Sequence, residues 1–190
     1  MRLRETRPAD LGVFLSWMSS EADMVLWSGR TFRWPLDRGQ LEGYLQNDRR
    51  RYWTGVDADS GEPVGHASLL VDDEARTMRL GCVLLDPAAR GRGLGRELIG
   101  AAVRTGFEVT DLPAMKLGVY AHNVPARRVY ESLGFRETGR VRSTEVAGRP
   151  WHALEMERPR PASQPGPPRS TSTCTWSRWR RISLPGSGAS

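Results

Sequence analysis

The pattern of apolar and polar positions is clearest between residues 78 and 96. A mostly apolar run from Leu80 to Leu85 predicts a buried strand, and Asp86-Pro87 marks its end. A glycine-rich turn at residues 90–95 follows at once. Apolar residues then recur at the spacing of one helix face: Leu94, Leu98, Ala101 and Ala102. We therefore predict a strand, a glycine turn and a helix in direct succession.

The rest of the chain predicts alternating strands and helices. Residues 19–36 are the exception, because they show no clean period, and we predict a long loop there that carries Trp27, Phe32 and Trp34. The whole pattern predicts an α/β (mixed α+β) fold with helices on both faces of one mixed sheet. Its further predicted elements are a strand at 2–5, a helix from Pro8, a helix capped by Asp37, strands at 52–58 and 63–71, a strand at 114–121, a helix at 124–133 and strands at 135–146 and 151–156.

Charge is distributed unevenly along the chain. The 190 residues carry a formal net charge of +6 at pH 7. Residues 159–190 hold five arginines and no acid, which leaves 23 basic and 22 acidic residues in 1–158. We predict one domain at 1–158 and a disordered Pro/Ser/Arg-rich tail at 159–190. Because the domain is nearly neutral, we do not expect a nucleic-acid partner; the rival hypothesis is nucleic-acid binding through the tail.

Several classes of protein are disfavoured by what the sequence lacks. Cys82 and Cys174 do not form a disulfide framework, and neither they nor the three histidines have the spacing of a metal site. The apolar stretch 11–18 is too short to span a bilayer, and no secretory signal is apparent. We expect a cytoplasmic protein with no metal and no membrane contact.

The glycine turn between the predicted strand and helix indicates an anion site. The first backbone N–H groups of a helix have no intrahelical acceptor, and glycines let a phosphate approach them closely. A P-loop would need Gly-Lys-Ser/Thr, yet the only lysine is Lys116. A dinucleotide fold would need G-x-G-x-x-G, whereas this run is G-x-G-x-G. The turn alone also fits a simple tight connection.

Two motifs together resemble the GNAT family of N-acetyltransferases. The first is Arg/Gln-x-x-Gly-x-Gly/Ala between a strand and a helix, matched by Arg90, Gly93 and Gly95. The second lies about 30 residues further on and consists of a strand, Asn-x-x-Ala-x-x-x-Tyr, and Gly-Phe with a glycine four residues later. Its matching residues are Asn123, Ala126, Tyr130, Gly134, Phe135 and Gly139. The resemblance covers roughly residues 63–157.

The resemblance implies a fold and a co-substrate. The family fold is a central, mixed, mostly antiparallel twisted sheet of about six to seven strands flanked by about four helices. Its central strand carries a bulge and splays from the next strand, and the pantetheine arm of acetyl-CoA inserts in that gap. Carried over to this chain, the residues that bind acetyl-CoA are Val83, Leu85, Arg90, Gly91, Arg92, Gly93, Leu94, Gly95, Arg96 and Asn123.

The resemblance also implies a catalytic acid. Tyr130 stands where the family places the tyrosine that protonates the leaving thiolate. The pKa of a phenol lies only about 1.5 units above that of a thiol, so the transfer is reasonable. The general base stays open, because the central strand offers Arg79 and no acid. The alternatives are a water relay or one of four side chains: Glu21, Asp23, His122 and Glu145.

We therefore predict direct transfer of an acetyl group from acetyl-CoA to a primary amine. Small-molecule amines, polyamine- or aminoglycoside-like amines and protein N-terminal amines all remain open as the acceptor. The alternative is a non-catalytic acyl-CoA sensor, which the missing strand acid supports and Tyr130 with Asn123 opposes. The resemblance also leaves a homodimer open.

Overall fold

The computed structural model describes residues 1–162, so all but four residues of the sequence tail at 159–190 lie outside the described part. Seven strands form one sheet with the order β1-β2-β3-β4-β5-β7-β6. Every neighbouring pair is antiparallel except β4 and β5, which are parallel. The strands are β1 Arg2–Glu5, β2 Arg50–Val56, β3 Pro63–Asp72, β4 Thr77–Leu85, β5 Ala114–Tyr120, β6 Arg136–Val146 and β7 Arg149–Pro159.

Five α-helices accompany the sheet within residues 1–162. They are α1 Asp10–Ser16, α2 Glu21–Ser28, α3 Arg38–Tyr44, α4 Leu94–Val109 and α5 Val124–Ser132. A 3₁₀ turn at Pro87–Ala89 links β4 to the glycine turn before α4. The mixed sheet with flanking helices confirms the predicted fold class, and α2 is the one helix that was not expected.

The interpretation of residues 19–36 as a loop was wrong in its first half. Ser20 caps α2, because its hydroxyl accepts a hydrogen bond from the Asp23 N–H at 3.1 Å. Met24 and Trp27 are buried between the helix and the sheet. Apolar residues lie on more than one side of this short segment, so its period was obscured, and tertiary packing decided the helix.

Two buried clusters occupy the two faces of the sheet. One face packs against α4 and α5 and includes Leu69 of β3, Leu80 of β4 and Leu98 of α4. The other face packs against α1, α2 and α3 and includes Phe14 and Leu84. Residues that stand opposite each other in β3 and β4 share a face, so Leu69 and Leu80 are on the α4 side while His66 and Leu84 are on the α1 side.

The last described residues belong to the domain. β7 continues to Pro159, one residue past the boundary expected from composition. The Arg160 guanidinium donates to the carbonyls of Leu112, Phe107 and Thr110 at 2.6–3.0 Å. Two of these carbonyls are at the end of α4, where the helix leaves its last C=O groups without intrahelical donors. Arg160 therefore closes the carboxyl end of α4.

Candidate active site

The two parallel strands at the centre of the sheet separate towards their carboxyl ends. They pair only where Met78 faces Met115 and Arg79 faces Lys116. β4 then continues to Leu85 and β5 to Tyr120 without further pairing. A gap bordered by two strand edges therefore opens in the middle of the sheet. Such edges present N–H and C=O groups that an extended ligand can use.

A bulge bends β4 beside this gap. His66 faces Leu84 and Ser68 faces Gly81, so Ala67 alone stands opposite two residues of β4. One of these, Cys82, has a φ of 49°, in the left-handed region that non-glycine residues rarely adopt. The extra residue increases the local bend and twist of the strand. The bulge thus turns the end of β4 away from β5.

The backbone of Leu85 faces the gap. The N–H of the next residue, Asp86, donates to the Val64 carbonyl at 3.0 Å, on the β3 side of β4. Because backbone groups alternate in direction along a strand, the Leu85 N–H points to the opposite side, where β5 has diverged. Val83 lies two residues earlier, at the bulge. Both predicted contact residues therefore border the gap.

The glycine turn presents the start of α4. Gly93 is the N-cap with a φ of 79° and offers no side chain to cap the helix. Its carbonyl accepts hydrogen bonds from the N–H groups of Arg96 and Glu97. A Cβ built on Gly91 or on Gly93 would meet nothing within 4 Å, so the backbone there is open to a ligand. This arrangement suits a phosphate group.

The remaining residues of the first motif anchor or surround this turn. Leu94 is buried with Val64 and holds the first turn of α4 on the sheet. Three cationic side chains of the motif are exposed around the turn, where they can contact an anion: Arg90, Arg92 and Arg96.

The second motif forms the start and the buried face of α5. Asn123 is the N-cap, and its side-chain oxygen accepts a hydrogen bond from the Ala126 N–H at 3.3 Å. Tyr130 is buried at 7% exposure, and its ring lies 5.8 Å from that of Phe135. It shares a cluster with Leu80 of β4 and Val119 of β5. Burial raises the pKa of Tyr130, so its phenol is neutral at pH 7 and carries the proton, although it is a weaker acid than a free phenol towards a departing thiolate.

The four side chains considered as general bases have different surroundings. Glu21 is exposed in the first turn of α2, whereas Asp23 accepts a hydrogen bond from the Ser20 hydroxyl at 2.8 Å. His122 stacks on Tyr120 and meets the edge of Trp151. Glu145 is exposed near the turn between β6 and β7. No geometry here selects one of them.

A buried polar chain was missed by the sequence analysis. His66 of β3 is 1% exposed and lies 3.3 Å from the Thr6 hydroxyl and 3.4 Å from that of Tyr44. Thr54 links Thr6 to Asp10 through hydrogen bonds of 3.1 and 2.8 Å. The sequence signal that could have indicated these buried polar residues is in β3, where His66 and Ser68 stand two residues apart in an otherwise apolar strand.

His66 and Asp10 are the two titratable residues in this buried series of polar side chains, and each is held in a defined charge state. Burial lowers the pKa of His66 to about 3, and the nearby Arg50 acts in the same direction. Burial of Asp10 opposes its ionisation, but hydrogen bonds from Arg4, the Arg7 N–H and Thr54 outweigh burial and hold its pKa below the usual range. The imidazole is therefore neutral and the carboxylate charged at pH 7.

The splayed parallel pair, the bulged central strand and the open helix start together match the fold that the two sequence motifs imply. The family model described as acetyltransferase (GNAT) family matches residues 21–135. The chain therefore belongs to the GNAT family, as the two motifs predicted.

Similar proteins differ in the acceptor for which they are named. Mycothiol acetyltransferase of Acidothermus cellulolyticus is 39% identical over 104 residues, 53% of this chain and 28% of that protein. Peptidyl-lysine N-acetyltransferase YjaB of Salmonella typhimurium is 30% identical over 104 residues, 55% of this chain and 62% of that protein. The chain thus matches less than two thirds of the length of either relative.

A solved structure confirms the fold. The spermidine N-acetyltransferase of Vibrio cholerae, in complex with CoA and spermine, aligns with a TM-score of 0.73 at 22% identity. The alignment covers 86% of this chain and 96% of that one.

Among residues 1–162, no group of three or more metal-ligating side chains comes together. No helix of that part is long and apolar enough to cross a membrane.

Proposed function

We propose that the protein transfers the acetyl group of acetyl-CoA to a primary amine. The observation that carries this proposal is the gap between β4 and β5, which opens beside the uncapped start of α4 and between two strands that share a buried cluster with Tyr130. Membership of the GNAT family supports it. Acetyl-CoA supplies a thioester, whose carbonyl carbon an amine can attack directly.

Binding would use backbone groups more than side chains. The N–H groups of residues 91–95 face the pyrophosphate at the start of α4, where the helix dipole favours negative charge. Arg90, Arg92 and Arg96 add charge-assisted hydrogen bonds to phosphate. The β4 edge at Val83 and Leu85 pairs with the amides of the pantetheine arm, and Asn123 adds a polar contact from the α5 side.

The chemical step needs a group that stabilises negative charge on the thioester oxygen and a group that donates a proton to the leaving thiolate. The amine nitrogen bonds to the carbonyl carbon, the C–S bond breaks, and Tyr130 gives its proton to the departing thiolate. A backbone N–H of β4 polarises the thioester carbonyl. The proton of the amine passes to water or to one of the four candidate bases: Glu21, Asp23, His122 and Glu145.

The experiment combines binding with turnover. Calorimetry measures the affinity of the purified protein for acetyl-CoA, and release of free thiol is followed with a panel of amino acids, polyamines, aminoglycosides and peptides. Release in the absence of an acceptor is the control for hydrolysis. Tight binding with acceptor-dependent release is the expected result, and no binding of acetyl-CoA contradicts the proposal.

A sensor is the rival outcome of the same experiment. The observation that favours it is the absence of an acid in β4, where Arg79 instead pairs with Glu155 at 2.9 Å. A protein that binds acetyl-CoA and acetylates no amine of the panel would be such a sensor. A homodimer, a cytoplasmic location and the lack of a nucleic-acid partner stay predictions.

A further inference from the structure

A cavity of about 390 Å³ lies on the α1 side of the sheet, beside α3 and the start of β2. This volume suits a small molecule of the size of an amino acid. Phe32 and Tyr44 supply apolar walls. Two arginines and no carboxylate stand among the lining residues, which are Thr31, Phe32, Arg33, Gln40, Gly43, Tyr44, Asn47 and Arg50.

Arg50 lacks an anionic partner in the described part of the chain. Its Nη1 donates to the Ser68 hydroxyl at 2.8 Å, and its guanidinium lies 5.5 Å from the centre of the Tyr44 ring. Its Nε is buried without a hydrogen-bond partner among residues 1–162. The neighbouring Arg49 differs, because it pairs with Asp72 at 3.6 Å. A guanidinium that lines a cavity without an anionic partner forms charge-assisted hydrogen bonds when an anion reaches it, so Arg50 would favour an anionic ligand there.

The cavity lies on the same face of the sheet as the Cys82 side chain at the bulge in β4. Arg50 Nη1 lies 3.7 Å from the position that a Cβ of Gly81 would take, one residue before the bulge. Cys82, at the bulge itself, shares a buried cluster with Phe32, and Tyr44 packs against the same cluster. A molecule whose anionic end meets Arg50 is therefore placed on the face of the sheet from which its amine can approach the edge of β4 at which the thioester is proposed to lie.

We propose that the acceptor is a primary amine that also carries a carboxylate, as an amino acid does, with the carboxylate bound by Arg50. This inference rests on the proposed N-acetyltransferase function and narrows its substrate class. A polyamine is disfavoured, because its additional positive charges would face Arg50 in a cavity whose lining offers no acid.

The test uses pairs of acceptors that differ only in the carboxylate. Leucine is compared with isopentylamine, and spermidine is included as the polycation. The wild-type protein should show the higher kcat/KM with leucine. Arg50→Met keeps most of the aliphatic stem and should lower kcat/KM for leucine by about 10–100-fold, the usual effect of losing a charge-assisted pair. It should leave the value for isopentylamine nearly unchanged.

Two controls separate this inference from the proposed function. Arg49→Met removes the adjacent arginine, which pairs with Asp72, and should change neither substrate's kcat/KM. Affinity for acetyl-CoA should stay at the wild-type value in both variants. If Arg50→Met does not fold, Arg50→Lys retains the charge without the planar fork and should give a smaller loss confined to leucine.

Three results from the comparisons of substrates and variants would overturn the inference, and a fourth concerns the wild type alone. They are preferential turnover of isopentylamine or spermidine, an equal loss for both members of the pair in Arg50→Met, and equal binding of N-acetyl-leucine to wild type and Arg50→Met. The last measurement needs no turnover, because N-acetyl-leucine keeps the carboxylate, and the absence of its binding to the wild type also contradicts the inference. Failure of the proposed function shows separately, as loss of acetyl-CoA binding.

Discussion

Gly95 of α4 lies directly against Leu85 of β4, so that a Cβ on Gly95 would stand 3.1 Å from Leu85 Cδ1. A Cβ at this distance would require Leu85 to shift by a few tenths of an ångström, so glycine lets the first turn of α4 approach the end of β4 without displacing that side chain. Close approach brings the open N–H groups of α4 and the free edge of β4 together. The glycine at this position thus joins the two parts of the proposed acetyl-CoA site.

Gly95→Val should abolish or strongly weaken acetyl-CoA binding, because the new methyl groups push the start of α4 away from Leu85. The measurement is calorimetric titration with acetyl-CoA. Gly12→Val on α1 is the matched control, since a Cβ there meets nothing within 4 Å. Wild-type affinity in Gly95→Val would show that the turn is only a connection between strand and helix.

Tyr130→Phe should lower turnover by roughly 10²–10⁴-fold, the usual contribution of a positioned general acid. The ring keeps its packing against Phe135, so acetyl-CoA affinity and thermal stability should change little. Turnover and acetyl-CoA affinity are measured for the wild type and for Tyr130→Phe, with the best acceptor from the panel. Equal turnover in the two proteins would reduce Tyr130 to a packing residue.

The stability of the protein should fall between pH 7 and pH 4.5 because of His66. Its pKa is about 3 in the folded state and about 6.5 when unfolded, so the unfolded state binds more protons throughout this window. The full contribution is present above the unfolded pKa and is lost as the pH falls. We expect a loss of about 2–3 kcal/mol in the free energy of unfolding by pH 4.5.

Urea denaturation at the two pH values measures this loss. His66→Gln should flatten the pH dependence, whereas His122→Gln, at an exposed position, should keep it. Asp10 does not interfere, because its pKa is lowered and its contribution is lost only in more acidic solution. A His66→Gln protein with the wild-type pH dependence would show that another group is responsible.

Truncation should distinguish Arg160 from the residues after it. A chain that ends at residue 162 should melt close to the full-length protein, because residues 163–190 have too few apolar groups to offset the entropy of ordering. A chain that ends at residue 158 loses the contacts of Arg160 with Leu112, Phe107 and Thr110 and should melt about 4–8 °C lower, for a loss of about 2 kcal/mol.

Full-length Arg160→Ala is the matched variant for the truncation. It should reproduce most of the loss seen at residue 158, since it removes the same side chain without shortening β7. A large loss in the chain that ends at residue 162 would instead mean that the later residues pack on the domain.

The sequence predicted the elements whose apolar period or turn residues are strong. The run from Leu80 to Leu85, the Asp37 cap and the helix after Asn123 all appear near the expected positions. Helix α2 was missed because it is short and its burial depends on packing against the sheet rather than on a clear period. The local pattern of apolar and polar residues does not reveal a helix whose burial depends on packing against distant strands.

The candidate site was predictable only where a motif fixes the backbone. Gly91 and Gly93 of the glycine turn leave the backbone open, as an anion site requires, and both have positive φ angles. The cavity at Arg50 was not predictable in the same way, because it combines β2, α3 and the segment after α2. Arg50 is one of three consecutive arginines, and only the sheet pairing shows which of them shares a face with Ser68.

The short pairing of β4 with β5 divides the sheet into two leaves, β1–β4 and β5–β7–β6, that share two paired positions. An extended molecule in the gap would supply the backbone hydrogen bonds that β4 and β5 do not make with each other. On the proposed function, that molecule is a reactant, which leaves with each turnover. The middle of the sheet is then more rigid while the substrate is bound and becomes less rigid when the product departs.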